Sequence, residues 1–407
     1  MLYFKHSELV KKFGVSLRTV HNWVEYAQQG RLPLSLHDEG GRLYVANTTD
    51  NIAILTDAVE KRKKYRNTNA VKTITPTPEF YEIYNEKQIY DIATNLEIHH
   101  EIPRQYNYLD QGASHWDKYA IRLAQEEGAN VVNSTIKLLR IGQSYIDDLL
   151  SKYKRVNIID IGVGNAYPTR ELLEHLLEQK KMGRYIALDI SPDILKIAQH
   201  NIEKWFGDKI SFEGYECDIN YDRFSDLLIQ EYAKKDAKDT VNVVLLLGGT
   251  LANMRTPDGA YKVIHDSMGI NDLLIYTKKL DTQTTRQYFD FNLNPGKTRL
   301  AEIHRLVVDL LNIDESYYDV ELSYNSETKQ RVECLHLKKS LIIRFKFKEG
   351  EREIELNKGS RILTWRAHQQ SATTVHEQFE QNDFYLLNSM QTDDCEYILT
   401  VSKVKSD

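Results

Sequence analysis

Asp160, Gly162 and Gly164 stand one residue apart in the stretch VNIIDIGVGNAYPTREL, residues 156–172, at the end of an uninterrupted apolar run. The β-branched run has the character of a strand buried on both faces, and Leu172, Leu173, Leu176 and Leu177 follow at helical spacing. The glycines, with Asn165, therefore fall at a strand-to-helix turn. Bare main chain there admits a small molecule, and a helix N-terminus adds free N–H groups and partial positive charge. Three further segments end in similar chemistry. Asp189-Ile190 comes 25 residues after Gly164, where a carboxylate accepts hydrogen bonds from ribose hydroxyls. Asp218-Ile219 suits an adenine amino group, and Gly248-Gly249-Thr250 again leaves the backbone open. An acid after a strand is often only a helix cap, but four such ends in series point to a nucleoside ligand.

The elements that must position these residues alternate: strands at 185–191, 210–219, 241–250 and 272–280, separated by helices at 192–206, 222–235 and 257–268. Such alternation demands a parallel sheet with helices on both faces, and ligands of such sheets bind beyond the carboxyl ends of the strands. A dinucleotide fingerprint wants a third glycine where this chain has Tyr167. The acidic-x-Gly-x-Gly pattern of residues 160–164 instead suits S-adenosylmethionine, which has no pyrophosphate to cradle. Further along, RVECLHLKKSLIIRF (331–345) and DDCEYILTVSK (393–403), with a helix over 371–381 between them, are expected to close the sheet with antiparallel strands.

The chain has 407 residues, enough for two or three domains, and 41% of them are hydrophobic, enough for a sizeable core. No apolar run reaches membrane-spanning length and MLYFKHSEL lacks signal-peptide architecture, so a soluble, cytoplasmic protein is the expectation. Cys217, Cys334 and Cys395 are far apart, and the 13 histidines show neither HxxxH nor HExxH spacing. No disulfide framework and no metal site is expected.

Charge sets the N-terminus apart. Residues 1–72 carry 12 Lys plus Arg against 7 Asp plus Glu, or +5, which leaves −11 for the remainder of a chain at −6. HSELVKKFGVSLRTVHNWVEYAQQG reads as two short amphipathic helices broken at Gly14-Val15-Ser16, with Ser16 as N-cap of the second, and a hairpin turning at Gly40-Gly41. This is the pattern of a winged helix-turn-helix, in which Arg18, Thr19, His21 and Asn22 face outward, to DNA or, in a small docking module, only to solvent. Residues 47–64 read as a further helix ending in the basic run KRKKYR, and 73–85, with prolines at 76 and 78, as a linker.

In order, IPRQYNYLDQGASHWD (102–117), DIGVGNAYPTREL, YIALDIS, LLLGGTLANM and FDFNLN (289–294) resemble the motif blocks of the histidine-specific methyltransferase family, over roughly residues 80–403. The resemblance implies an α/β fold with a Rossmann-like class I methyltransferase sheet and an inserted α+β substrate subdomain at about 281–355, within a domain spanning 86–407 whose core is 150–280 and 360–405. It further implies that Asp160, Gly162, Gly164, Asn165, Asp189, Ile190, Asp218, Ile219, Gly248 and Gly249 bind S-adenosylmethionine. Asn253 would hold a substrate amine or carboxylate, and Glu333, in the strand VEC, would face the substrate and receive a proton or pair with an ammonium group.

Pro168 replaces the family's lysine before Thr-Arg, GANVVNSTIKLL stands where a tyrosine block belongs, and WRAHQQS (365–371) replaces a Ser-Tyr-Lys-Tyr-like stretch. Cofactor residues are mostly retained and substrate residues mostly changed. The expected activity is thus methyl transfer to an amine of a small molecule, amino acid or related acceptor, with histidine itself doubtful. Amino-directed DNA methylation is disfavoured by Ala252-Asn253-Met254, where such enzymes carry an Asn/Asp-Pro-Pro-aromatic turn, and cytosine-carbon methylation by the absence of a cysteine after a proline. The rival reading is a transcriptional regulator that binds DNA through residues 1–72 and senses S-adenosylmethionine. No membrane partner is expected, and a homodimer is left open.

Overall fold

A computed structural model describes residues 2–68, 71–232, 237–283 and 299–405; the FDFNLN block lies outside the described residues. The chain divides into two compact units, one of residues 1–102, 307–320 and 335–363, the other of 103–306, 321–334 and 364–407. The expected boundaries differ from this division: 86–102 and 335–355 cluster with the N-terminal residues rather than with the sheet that follows.

The second unit is built on seven strands: β1 (Arg155–Ile161), β2 (Met182–Asp189), β3 (Phe212–Glu216), β4 (Thr240–Leu246), β5 (Leu273–Lys279), β6 (Phe384–Gln391) and β7 (Tyr397–Val404). Their order across the sheet is 3-2-1-4-5-7-6. The first five strands pair in parallel, whereas β7 runs antiparallel to both β5 and β6. This is the expected Rossmann-like arrangement. The chain moves outward from β1 to β3 and then returns to place β4 on the other side of β1, which makes the β1/β4 boundary the switch point where a crevice opens beyond the strand ends.

Period-two alternation in these strands feeds two cores. Ile158, Val243, Leu245, Ile275 and Val401 join Leu138, Leu173 and Leu195 from helices Val131–Leu150, Arg170–Glu178 and Pro192–Phe206. Ile159, Ile161, Val244, Leu246 and Leu274 face the other way, onto Leu228, Tyr261 and Phe379 from helices Ser225–Tyr232, Pro257–Ser267 and Ala372–Gln381. Polar groups near the strand beginnings fix the register: Asn157 and Asn242 are cross-strand partners, the Asn157 Nδ2 donates to Asn242 Oδ1 at 2.9 Å, and the Asn242 Nδ2 donates to Asp272 Oδ1 at 3.0 Å. All three side chains are buried, so a slipped register would leave them unpaired.

The closing strands depart from expectation. Of the two segments proposed for that role only the second supplies one, and β6 joins it. Residues 331–345 instead form Gln330–Leu337 and Leu341–Phe347, which belong to two separate three-stranded sheets. The apolar run is interrupted at Lys338-Lys339-Ser340, where the Ser340 carbonyl accepts from Lys72 N–H and Lys338 N–H donates to Tyr317 O.

In the first unit, helices His6–Phe13 and Leu17–Gln28 are followed by a hairpin of Leu36–Glu39 and Arg42–Ala46, then by a helix over Thr49–Thr68. Ser16 caps the second helix by accepting from Thr19 N–H at 3.2 Å, and Gly40 and Gly41 take φ of 63° and 82°, as a tight hairpin turn requires.

Residues 73–85 are not a linker. Lys72–Ile74 pairs parallel with Leu341–Phe347, and Thr77 caps the helix Pro78–Ile83, whose Phe80 packs on Phe345 with ring centroids 5.9 Å apart. Pro78 occupies the first helical turn, where proline starts a helix rather than breaking one. Among the described residues no helix is long and apolar enough to cross a membrane.

Candidate active site

Beyond Ile161 the backbone turns through Gly162 and Gly164, at φ of 65° and 56°. A Cβ on Gly162 would meet Thr250 Oγ1 at 2.8 Å, and one on Gly164 would meet the Trp116 ring at 2.5 Å. Each glycine thus admits a side chain of the protein's own. The first of these approaches joins the tip of β1 to the loop after β4, where Gly248 has φ of 78° and its N–H donates to Thr277 Oγ1 at 2.9 Å.

Asp160 does not present its carboxylate to this space. It is buried, and its Oδ2 accepts the hydroxyls of Thr169 at 2.7 Å and Tyr185 at 2.9 Å, which ties β1 to the start of helix Arg170–Glu178 and to β2. Burial pushes it up to about 7 despite the two hydroxyls. Asn165 is likewise internal: its Nδ2 donates to Asp117 Oδ1 and its Oδ1 accepts from Tyr167 N–H. Both side chains therefore shape the turn, because a buried polar group needs partners inside the fold.

Asp189 ends β2 with its carboxylate gathered by three main-chain N–H groups, those of Gly164, Ile190 and Ser191, the last at 3.0 Å. Burial is the larger influence and pushes it up to about 6. Through the Gly164 N–H it links the β1 and β2 tips directly. Asp218 lies two residues past β3, where its Oδ1 accepts from the main-chain N–H and side-chain Nδ2 of Asn220, and the neighbouring Ile219 is buried.

Asn253 sits in the short 3-10 turn Leu251–Asn253 after β4, with its Nδ2 3.4 Å from where a Cβ on Gly249 would lie. Its Oδ1 accepts the indole N–H of Trp365 at 3.0 Å. Trp365 in turn stacks on His304, with ring centroids 5.8 Å apart and planes at 17°. The imidazole Nδ1 of His304 lies 2.8 Å from Glu333 Oε1, which also accepts the Thr364 hydroxyl at 2.9 Å. Asn253 and Glu333, the two residues singled out for substrate, are therefore joined through Trp365 and His304.

A return path closes on the strand tips. Arg104 is within electrostatic reach of His304 and lies against the Tyr108 ring at 5.5 Å, and Tyr108 is within reach of Asp189. The Tyr108 carbonyl accepts the hydroxyl of Ser191, the N-cap of helix Pro192–Phe206. The strand tips and the Asn253–Glu333 group thus border one region of the unit.

Sequence reasoning missed His304, Thr364 and Trp365 as site residues. A single histidine in EIHRL carries no motif, and Trp365 stood out only because WRAHQQS departs from the family pattern. It also missed Lys278, at the end of β5, whose ammonium donates to Gln370 Oε1 and which burial pushes down to about 7. Among the described residues no group of three or more His, Cys, Asp or Glu could hold a metal ion.

The outward face expected of helix Leu17–Gln28 is only partly present. Arg18 turns back onto its own unit, its Nη1 donating to the carbonyls of Glu97 at 2.8 Å and Ile98 at 3.4 Å, the last turn of helix Glu86–His99. Thr19 is buried with its hydroxyl 3.0 Å from Ser16 Oγ. Both side chains thus have partners within their own unit, since a helix C-terminus attracts a cation and the cap closes over Thr19. His21 is exposed, with its ring 5.0 Å from that of His6, and Asn22 is half-buried.

A family model described as histidine-specific methyltransferase, SAM-dependent, matches residues 90–404. No curated protein matches the chain. Among solved structures, it is similar to an S-adenosylmethionine-dependent methyltransferase from Clostridium acetobutylicum, at 10% identity and a TM-score of 0.40, over 73% of this chain and 98% of that one. It is also similar to a 1,6-didemethyltoxoflavin-N1-methyltransferase from Burkholderia thailandensis, at 12% identity and a TM-score of 0.36, over 73% and 86%. A sugar N-methyltransferase from Streptoalloteichus is similar at 10% identity and a TM-score of 0.34, over 70% and 92%.

Proposed function

The chain belongs to the histidine-specific, S-adenosylmethionine-dependent methyltransferase family, and from that premise we propose that it transfers a methyl group to an amine nitrogen of a small molecule, amino acid or related acceptor. The observation that carries this reading is the continuous path Asn253–Trp365–His304–Glu333, which starts one loop from the glycine-rich end of β4.

The strand tips fit the cofactor by their chemistry. The backbone turns tightly, at positive φ, through Gly162, Gly164 and Gly248, and the charged group that β2 delivers is the acid Asp189, an acceptor for ribose hydroxyls. Asp218 and Ile219 stand at the end suited to adenine. When bound, S-adenosylmethionine supplies an electrophilic methyl group on a sulfonium. The protein's task is then to align a nitrogen lone pair with that carbon in a water-poor space. The Asn253 amide, its oxygen already held by Trp365, keeps its Nδ2 to orient the acceptor, and Glu333 supplies the acidic end.

The test is calorimetric titration of the purified protein with S-adenosylmethionine, followed by mass-spectrometric detection of S-adenosylhomocysteine across a panel of amines and amino acids. Cofactor-dependent release of S-adenosylhomocysteine with an N-methylated product supports the reading. Tight cofactor binding with no product from any acceptor favours the sensor instead, and no heat from the cofactor defeats both.

A further inference from the structure

We propose that His304 is the proton acceptor of this site: its Nε2 takes the proton that an acceptor ammonium must lose before its nitrogen can attack, while Glu333 holds the ring from the other side. This role rests on the amine-transfer reading above and shifts the proton from Glu333, where the sequence put it, to the imidazole.

Glu333 is poorly placed to take that proton itself. It is buried, and Oε1 is already shared by the Thr364 hydroxyl at 2.9 Å and His304 Nδ1 at 2.8 Å. An ionised carboxylate only accepts, so the proton in that contact belongs to Nδ1 and the lone pair of the neutral ring falls on Nε2. His304 is 7% exposed, yet its Nε2 meets no hydrogen-bond partner among the described residues. Nearly all buried polar atoms in folded proteins are paired, so an orphan at the end of a fixed tautomer needs a reason, and a transient partner supplies one. Trp365 stacks on the imidazole and bonds Asn253, so ring orientation and the amide that would orient the acceptor are set by one side chain.

The step balances. The acceptor N–H bond breaks and its proton goes to Nε2, giving an imidazolium paired with the Glu333 carboxylate. The freed nitrogen lone pair then forms the N–CH3 bond as the methyl–sulfur bond breaks and its electron pair stays on sulfur. The imidazolium returns its proton to solvent after the product leaves. The charged groups that act on His304 are Glu333 and Arg104; two residues before it, Glu302 pairs with His115 of helix Gln111–Gln125 at 3.5 Å. Burial lowers His304 from its ordinary value, Glu333 opposes this and Arg104 adds to it, so the ring is neutral and able to accept near neutral pH.

Two measurements test this. Nitrogen-15 histidine spectra of the full chain with S-adenosylhomocysteine, with the resonance assigned by its loss in His304→Gln, should show the Nδ1–H tautomer at pH 7.5; an Nε2–H tautomer or an imidazolium at that pH overturns the role of His304 whatever the acceptor. In single-turnover methyl transfer, His304→Gln should bind S-adenosylmethionine within about twofold of wild type and melt normally, but react about 10²- to 10⁴-fold more slowly and lose the acid limb of the pH profile. Glu333→Gln should keep the hydrogen bond and shift that limb. A His304→Gln rate equal to wild type overturns the assignment while leaving the amine-transfer reading intact. A wild-type protein with the expected tautomer that binds cofactor and methylates no amine overturns that reading, and His304's task with it.

Discussion

The indole N–H of Trp365 donates to Asn253 Oδ1 at 3.0 Å across 112 residues of sequence. It fixes which end of the Asn253 amide is left for a ligand: the oxygen is taken and the nitrogen remains. Trp365→Phe keeps the stacking surface toward His304 but removes the donor, leaving a half-buried acceptor unpaired and the amide free to flip. Loss of such a partner costs about 1–3 kcal/mol, so kcat/KM for the acceptor should fall about 10- to 100-fold while the Kd for S-adenosylmethionine stays the same. Steady-state kinetics with calorimetry checks this, and an equal loss in cofactor affinity would contradict it.

Asp189 makes cofactor binding depend on pH. Burial holds it at about 6, and the ionised carboxylate is the stronger acceptor for ribose hydroxyls. Affinity for S-adenosylmethionine should therefore rise as pH increases through about 6 and level off above 7. Asp189→Asn should bind more weakly at pH 8 and lose that dependence. Titrations at a series of pH values decide it.

Stability should show the opposite slope. Asp160 and Asp189 have folded values of about 7 and about 6, both above the ordinary 3.8. The native state thus keeps protons that the unfolded chain releases, and this contribution, complete below 3.8, is lost as pH rises through 6 and 7. Urea unfolding of the cofactor-free protein should give a decline between pH 4.5 and 8 from these two acids. Asp160→Asn should flatten it, because the amide oxygen still accepts from Thr169 and Tyr185; an unchanged slope would show that Asp160 is not protonated in the fold.

Arg18 separates the two readings of the N-terminal helices. Its bonds to the Glu97 and Ile98 carbonyls cap a helix C-terminus, so Arg18→Ala should destabilise its unit by about 1–2 kcal/mol. It should leave any affinity for duplex DNA unchanged between low and high salt. Loss of a steeply salt-dependent DNA affinity in this variant would instead restore the regulator reading.

Gly164→Ala probes the glycine turn. The added methyl would lie 2.5 Å from the Trp116 ring at φ of 56°. Strain of this kind costs on the order of 1–3 kcal/mol. Thermal unfolding should register that loss together with weaker cofactor binding, since the Gly164 N–H also holds Asp189.

The parallel strands and the turns between them were legible in the sequence because both leave local marks: a run such as VNIIDI has no polar face to offer water, and positive φ selects glycine at 162, 164 and 248. Ser16 as a cap and Gly40-Gly41 as a turn were legible for the same reason. Local marks misled where a residue type serves two geometries. Pro78 read as a linker and starts a helix; Asp160 and Asn165 read as ligand contacts and are satisfied inside the fold; Arg18 read as solvent-facing and meets carbonyls nearly 80 positions away.

What the sequence by itself determined is the sheet, its glycine-lined edge and the class of cofactor suited to it. The grouping of Asn253, His304, Glu333 and Trp365 was decided by tertiary structure alone. Their spacing follows no helix or strand period, and they meet only because strands distant in the chain are brought side by side, so that hydrogen bonds and ring stacking between them cost no more than those between neighbours.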